Sequence, residues 1–208
     1  MLFRSQTTKK STAITRRTAS NLLLVVPERF APVLAEVAPL GELFRAQRKK
    51  LFLVGGSVRD LLIDRATTEL DFDFTTDARP DDIKAIVSGW ADALWTPGER
   101  FGTISAEKGG RTYEITTHRA EAYSPESRKP EVQFSDRIED DLSRRDFTVN
   151  AMALEITAEA PVLVDPYGGL ADLMGKVLRT PLSPTVSFRS EEHTSELQSP
   201  DHLVCRLL

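Results

Sequence analysis

Between Leu51 and Thr117 the chain carries four short strand-like segments but only two helical ones to join them, and this imbalance constrains the fold more than any other feature. Parallel strands need a crossover helix between each pair, whereas antiparallel strands need only a turn. Residues 51–54 read as a buried strand, Gly55-Gly56 as a turn, 57–63 as a helix and 70–75 as a second strand. A helix over 80–94 follows, and 103–107 with 112–117 reads as a hairpin about Gly109-Gly110. Ahead of these, Val33, Leu34, Val37, Leu40, Leu43 and Phe44 recur at helical spacing from 31 to about 47, and Arg45, Arg48, Lys49 and Lys50 suit a helix C-terminus. The expected fold is therefore α+β, a mixed or antiparallel sheet with flanking helices, rather than a doubly wound sheet.

With 40% hydrophobic and 28% charged residues over 208 positions, the chain can bury one good core. The formal charge of −4 advertises no global attraction to nucleic acid, although such a sum averages away any local basic patch. Cys205 stands alone and no Cys/His spacing suits zinc, so any metal must be held by oxygen. The apolar run 22–26 is shorter than the ~7–15 residues of a secretory core and far below the ~20 that span a bilayer, which predicts a cytoplasmic protein with no membrane partner. The Ser-, Thr-, Lys- and Arg-rich start lacks hydrophobic period, so 1–26 is expected to be a disordered leader before an ordered domain from Pro27.

Four constellations could carry chemistry. In Gly55-Gly56-Ser57-Val58-Arg59-Asp60, a strand-turn-helix lets backbone amides approach an anion, with Arg59 one turn further in; a plain tight turn is the alternative. Alternation in Leu70-Asp71-Phe72-Asp73-Phe74 sends Asp71 and Asp73 to one face and both phenylalanines to the other. Two carboxylates so close repel unless a cation intervenes, and Mg²⁺ suits them, but a solvated strand face explains the pattern too. Glu114 in Tyr113-Glu114-Ile115-Thr116-Thr117 could add a third carboxylate or merely face solvent. Finally, 140–151 crowds Asp140, Asp141, Arg144, Arg145, Asp146 and Asn150 together. On one helix only one of the two arginines can face inward, leaving the other on the surface or paired with a carboxylate.

Taken in order, Gly55-Gly56-Ser57-Val58-Arg59-Asp60, the Asp71/Asp73 pair, Phe101-Gly102-Thr103, 114–119, Arg144-Arg145-Asp146-Phe147-Thr148-Val149-Asn150-Ala151 and Asp165-Pro166-Tyr167-Gly168-Gly169 resemble the head domain of class II tRNA nucleotidyltransferases, the CCA-adding family. The resemblance covers about 50–188. It implies a palm-type domain that adds CMP and AMP, from CTP and ATP, to the tRNA 3′ end and releases pyrophosphate. It further implies that Asp71 and Asp73 hold Mg²⁺, that Glu114 is the third catalytic carboxylate, and that Gly55, Gly56, Ser57 and Arg59 meet the triphosphate. Arg144, Arg145, Asp146 and Asn150 are implied to bind the nucleotide. Bacterial poly(A) polymerases share this head, and an idle nucleotide- or RNA-binding module is the reading from another class.

Two departures from that pattern stand out. Asp64 occupies a position where the family usually has glycine, in a loop that runs slightly long before Asp71. After Phe188 the acidic and helical continuation of the family does not follow, and 189–199 instead resembles a translated sequencing-library adapter. The expected organisation is a head over 27–188 and an artefactual, disordered tail over 189–208, with weak or no activity in this fragment. Oligomeric state is left open.

Overall fold

The computed structural model describes residues 27–65, 72–122, 131–182 and 205–206. The expected leader, the loop before Asp71 with Asp71 itself, and the tail other than Cys205 and Arg206 lie outside them. Helix α1 (Ala31–Ala46) is followed by β1 (Leu51–Val54), α2 (Gly56–Leu62), β2 (Phe72–Thr76) and α3 (Pro80–Val87). Next come β3 (Ala93–Trp95), β4 (Thr103–Lys108), β5 (Arg111–Thr117), β6 (Arg119–Ala122) and β7 (Glu131–Phe134). The remainder is α4 (Ile138–Ser143), β8 (Ala153–Glu155), β9 (Val162–Val164), α5 (Gly169–Gly175), β10 (Val177–Leu178) and β11 (Cys205–Arg206).

Seven strands form one sheet in the order β3-β4-β5-β2-β1-β8-β9. Its pairs are antiparallel apart from β2 with β5, which run parallel. That single parallel pair is possible because α3, β3 and β4 supply the long return path a parallel connection requires. The expected α+β architecture with a mixed sheet is the one observed.

Period-two alternation decides what each face of the sheet meets. From β2 and β5, Phe72, Phe74, Tyr113 and Ile115 enter the main core with Val37, Leu40 and Phe44 of α1 and Ile83 and Val87 of α3. Phe72 stacks on Tyr113 with ring centroids 5.6 Å apart, and burying aromatic and aliphatic side chains of this size contributes about 1.5–3 kcal/mol each. The opposite face carries Asp73, Thr75, Glu114 and Thr116, and is only partly covered. There Phe52 and Val54 of β1 pack against Ile138 and Leu142 of α4 in a second, smaller core. A strand buried on both faces shows no alternation, which is why β1 is a continuous apolar run.

Two expectations are corrected. The helix expected over 80–94 stops at Val87, because the chain turns at Ser88-Gly89 and Ala93–Trp95 becomes an edge strand on β4. Asp92 fixes that turn, accepting hydrogen bonds from Lys108 Nζ and the Gly109 amide, both at 2.8 Å. The hairpin about Gly109-Gly110 forms as expected, and no heavy atom lies within 4 Å of where a Cβ would stand on either glycine. Further strands beyond those expected, β6 to β9, complete the sheet edge and a separate two-stranded ribbon.

Asp64 explains the glycine usual at its position. The amide of Asp64 donates to Leu61 O (3.4 Å) and that of Arg65 to Asp60 O (3.0 Å), the paired bonds that close a helix C-terminus through a left-handed residue. Asp64 supplies that conformation, with φ 55°. Arg29 then covers the last carbonyls of α2, donating through Nε to Leu61 O at 2.8 Å and through Nη2 to Leu62 O at 2.7 Å. Aspartate tolerates the left-handed region better than branched residues do, but glycine bears no steric cost there. Asp64→Gly is therefore expected to leave stability unchanged or raise it by about 0.5 kcal/mol, and Asp64→Val to lower it by about 1–2 kcal/mol, measured by urea unfolding of the two variants.

Candidate functional site

The parallel ladder between β2 and β5 sets Asp73 opposite Glu114 in register, so both carboxylates leave the same face of the sheet as neighbours, and both are exposed. Beside them opens a cleft of about 260 Å³ lined by Asp73, Thr75, Thr103, Glu114 and Thr116 from the sheet and by Arg119, Asp141, Arg144 and Arg145 from the far wall. Carboxylates thus stand on one side and guanidinium groups on the other.

Asp141 organises the basic wall. Its side chain is 1% exposed, and its Oδ1 accepts from Arg144 Nη2 (2.9 Å), Arg144 Nε (3.3 Å) and the Arg119 amide (3.2 Å). Oδ2 accepts from Arg145 Nη2 at 3.2 Å. Burial pushes this carboxyl up, but the charges of Arg144 and Arg145 and the hydrogen bonds from the Arg144 side chain and the Arg119 amide outweigh it and hold the group below the usual carboxylate range. The expectation that only one arginine can face inward is corrected here, while the pairing with a carboxylate given as one alternative for the other is observed for both. Helix α4 ends at Ser143, so helical periodicity no longer separates the pair, and both guanidiniums converge on one carboxylate and line one cleft.

Gly55 belongs to this arrangement through its backbone. Its φ of 73° with ψ −140° is open to glycine and costly for other residues. A Cβ there would stand 3.3 Å from Arg145 Nη1 and 4.0 Å from Asp73 Oδ2, so the glycine keeps open the point where acid and base approach. Gly56 meets only ordinary contact with Arg59 Nη2, and Ser57 is buried at the start of α2. Arg59 donates through Nη1 to Asn150 Oδ1 at 2.8 Å and through Nε to Asp60 at 2.9 Å. Asn150 Nδ2 in turn donates to both oxygens of Asp146, at 3.0 and 3.2 Å. The sequence-predicted residues therefore fall into two groups: Asp73, Glu114, Arg144 and Arg145 meet in the cleft with Gly55 beside them, and Arg59, Asp146 and Asn150 form a hydrogen-bonded chain on its flank.

Reasoning from sequence assigned no role to Asp141 or Arg119. Asp141 stands among three consecutive acids, Glu139-Asp140-Asp141, and only its burial tells it apart. Asp165 has a structural task, since its carboxylate accepts from the amides of Gly169 (2.7 Å) and Leu170 (3.0 Å) at the start of α5. Behind the cleft, His118 is buried with Nδ1 2.8 Å from Thr75 Oγ1; burial lowers its pKa against the opposing pull of Asp141. Among the described residues no three Asp, Glu, His or Cys side chains stand close enough to hold a metal ion between them, and no helix is long and apolar enough to cross a membrane.

Residues 51–179 match the family model described as the poly A polymerase head domain. The chain is 41% identical over 141 residues to the CCA-adding enzyme of Bacillus subtilis (strain 168), covering 67% of this chain and 33% of that protein. It is 33% identical over 169 residues to the CCA-adding enzyme of Lactobacillus helveticus (strain DPC 4571), covering 81% and 40%. Among solved structures, the Bacillus stearothermophilus CCA-adding enzyme in complex with CTP superposes with TM-score 0.63 at 29% identity, over 79% of this chain and 36% of that one. The Thermotoga maritima CCA-adding enzyme complexed with tRNA_CCA gives TM-score 0.63 at 28% identity, over 80% and 37%. The chain thus spans a third to two fifths of the length of the curated relatives described.

Removing the buried anion tests how the basic wall is held. Asp141→Asn leaves two partly buried guanidiniums without their counter-charge, and is expected to cost about 2–4 kcal/mol at neutral pH, the lower part of the range for a broken buried pair because both arginines keep some solvent contact. A carboxyl whose folded pKa is depressed contributes stability above its unfolded value of about 3.9 and loses it as pH falls through the folded value. The gap between wild type and variant in thermal unfolding should therefore be full at pH 7 and narrow below about pH 4.

Proposed function

We propose that this chain, which belongs to the poly A polymerase head-domain family, is the nucleotidyl-transfer head of a tRNA nucleotidyltransferase that adds CMP and AMP to the tRNA 3′ end. The observation that carries the reading is the juxtaposition in one cleft of Asp73 and Glu114, side by side on a parallel ladder, with Arg144 and Arg145 across from them. Carboxylates beside guanidiniums suit a ligand that is itself a cation bound to a polyphosphate. CCA-adding relatives, solved with CTP, with ATP and with tRNA_CCA, favour CTP, ATP and tRNA as substrates.

In this reaction the RNA 3′-hydroxyl oxygen bonds to the α-phosphorus, the bond to the bridging oxygen breaks, and pyrophosphate leaves with that electron pair. Asp71 and Asp73 are the residues that would hold Mg²⁺, which when bound would lower the pKa of the attacking hydroxyl and neutralise the triphosphate, with Glu114 as the third catalytic carboxylate. Asp73 fits that task as an exposed oxygen donor with the exposed Glu114 beside it. Asp71, their third companion, is assigned from the sequence alone. Arg144 and Arg145, already oriented by Asp141, present guanidinium edges to the phosphates, and the left-handed turn at Gly55 keeps side-chain bulk away from them. Gly56 and Ser57 are assigned to the triphosphate from the sequence alone. Arg59 fixes Asn150, and Asn150 with Asp146 makes a polar pair suited to ribose hydroxyls.

Incubated with Mg²⁺, CTP, ATP and a tRNA lacking its terminal CCA, the chain should extend the RNA to that end, slowly because it spans a third to two fifths of its relatives' length. Asp73→Asn should reduce extension by about 100-fold or more while CTP binding, followed by fluorescence competition, survives. Unchanged incorporation in that variant would remove the catalytic assignment. A product ending in a run of adenosines would instead make the chain a poly(A) polymerase head.

A further inference from the structure

Of the charged side chains that line the cleft, Arg119 has no task so far. Arg119 follows β5 after His118, opens β6 and pairs across the ribbon with Phe134 of β7. Its amide is anchored on Asp141, while its side chain lines the same cleft as Asp73, Glu114, Arg144 and Arg145. The Arg119 Nε is buried without a hydrogen-bond partner, and so is the Arg145 Nε. Among the described residues these two are the buried side-chain polar atoms in that state, and both belong to arginines of this cleft. Buried donors are nearly always satisfied, so an orphaned pair on one wall points to a missing acceptor.

The buried carboxylate Asp141 pairs with the guanidiniums of Arg144 and Arg145 and takes only the amide of Arg119, so it leaves the Arg119 guanidinium to other partners. Burial lowers the pKa of Arg119, and the charges of Arg144 and Arg145 act in the same direction against the opposing pull of Asp141. Arginine forks match phosphate oxygens in shape as well as charge. The structural duty of the residue, pinning the ribbon to α4, is discharged by its backbone.

We propose that Arg119 is a third phosphate-binding arginine, which with Arg144 and Arg145 grips a phosphate group in this cleft. The proposal rests on the nucleotidyl-transfer reading, and the phosphate could belong either to the polyphosphate of a nucleotide or to the backbone of the RNA. Binding of inorganic tripolyphosphate and of a short single-stranded oligoribonucleotide without a triphosphate is to be measured by calorimetry on the chain and on Arg119→Met, Arg119→Lys and Arg145→Met. Arg137→Met serves as a charge-matched control, since Arg137 is largely exposed and, among the described residues, pairs with Glu139 at 3.6 Å.

Arg119→Met should weaken one of the two probes about 10-fold, Arg119→Lys by less, and Arg137→Met by no more than about twofold. Loss confined to tripolyphosphate places the nucleotide tail on Arg119, and loss confined to the oligoribonucleotide places the RNA backbone there. Arg119 variants that match Arg137→Met on both probes overturn the proposal, and if Arg145→Met still loses tripolyphosphate the underlying reading stands without it. Wild-type protein that binds neither probe overturns both. Should Arg119→Met fail to show the cooperative thermal transition of the wild type, Arg119→Lys decides, since it keeps the charge and lacks the buried Nε.

Discussion

The parallel pairing of β2 with β5 is the constraint from which the site and the core both follow. Residues opposite one another in a ladder share a face, so one register sets Asp73 beside Glu114 and also aligns Phe72 with Tyr113 and Phe74 with Ile115 on the reverse side. Two neighbouring carboxylates repel, and water screens that repulsion only while both remain exposed. The aromatic layer behind them supplies what the acidic face cannot, with Phe72, Phe74 and Tyr113 in mutual ring contact and Trp90 edge-on to Tyr113. A register slip would turn carboxylates into the core and aromatics into the cleft together, so the arrangement is specified from both sides.

The basic wall obeys a different rule. Arg144 and Arg145 are not held by secondary structure, since Arg144 follows the end of α4 and Arg145 lies beyond it. They are held by a single buried anion. Asp141 gives up hydration to fix the wall, and the two arginines together offset that loss. Such a device leaves positive charge in excess at the place where carboxylates stand opposite, and the cleft is polar on both walls as a result.

How much of this was legible in the sequence depended on how local the cause was. The bounds of β1, the start of α1 and the hairpin about Gly109-Gly110 follow from hydrophobic runs, period and turn chemistry within a few residues. The facing of Asp73 and of Glu114 was readable from alternation, but not their register, which depends on strands some forty positions apart meeting in parallel. Ala93–Trp95 was hidden because Ala91, Ala93 and Leu94 are good helix formers, and the pairing with β4 overrode that preference. β8 and β9, each three residues long, are too short to show a period. Likewise nothing in Glu139-Asp140-Asp141 distinguishes the acid that becomes buried from its neighbours, because burial there is set by α4 packing under β1 and β6. Asp64 was visible only as a departure from a family habit, and its left-handed backbone supplies the reason for the habit.

The hairpin tip at Gly109-Gly110 sits at the far end of β5 from the cleft, about five strand residues or roughly 16 Å from Glu114. Both glycines stand clear of other atoms. The tip therefore offers an attachment point for a fluorophore or a short peptide tag. A reporter there would ride on the strand that carries Glu114, close enough to sense what enters the cleft and too far away to occupy it.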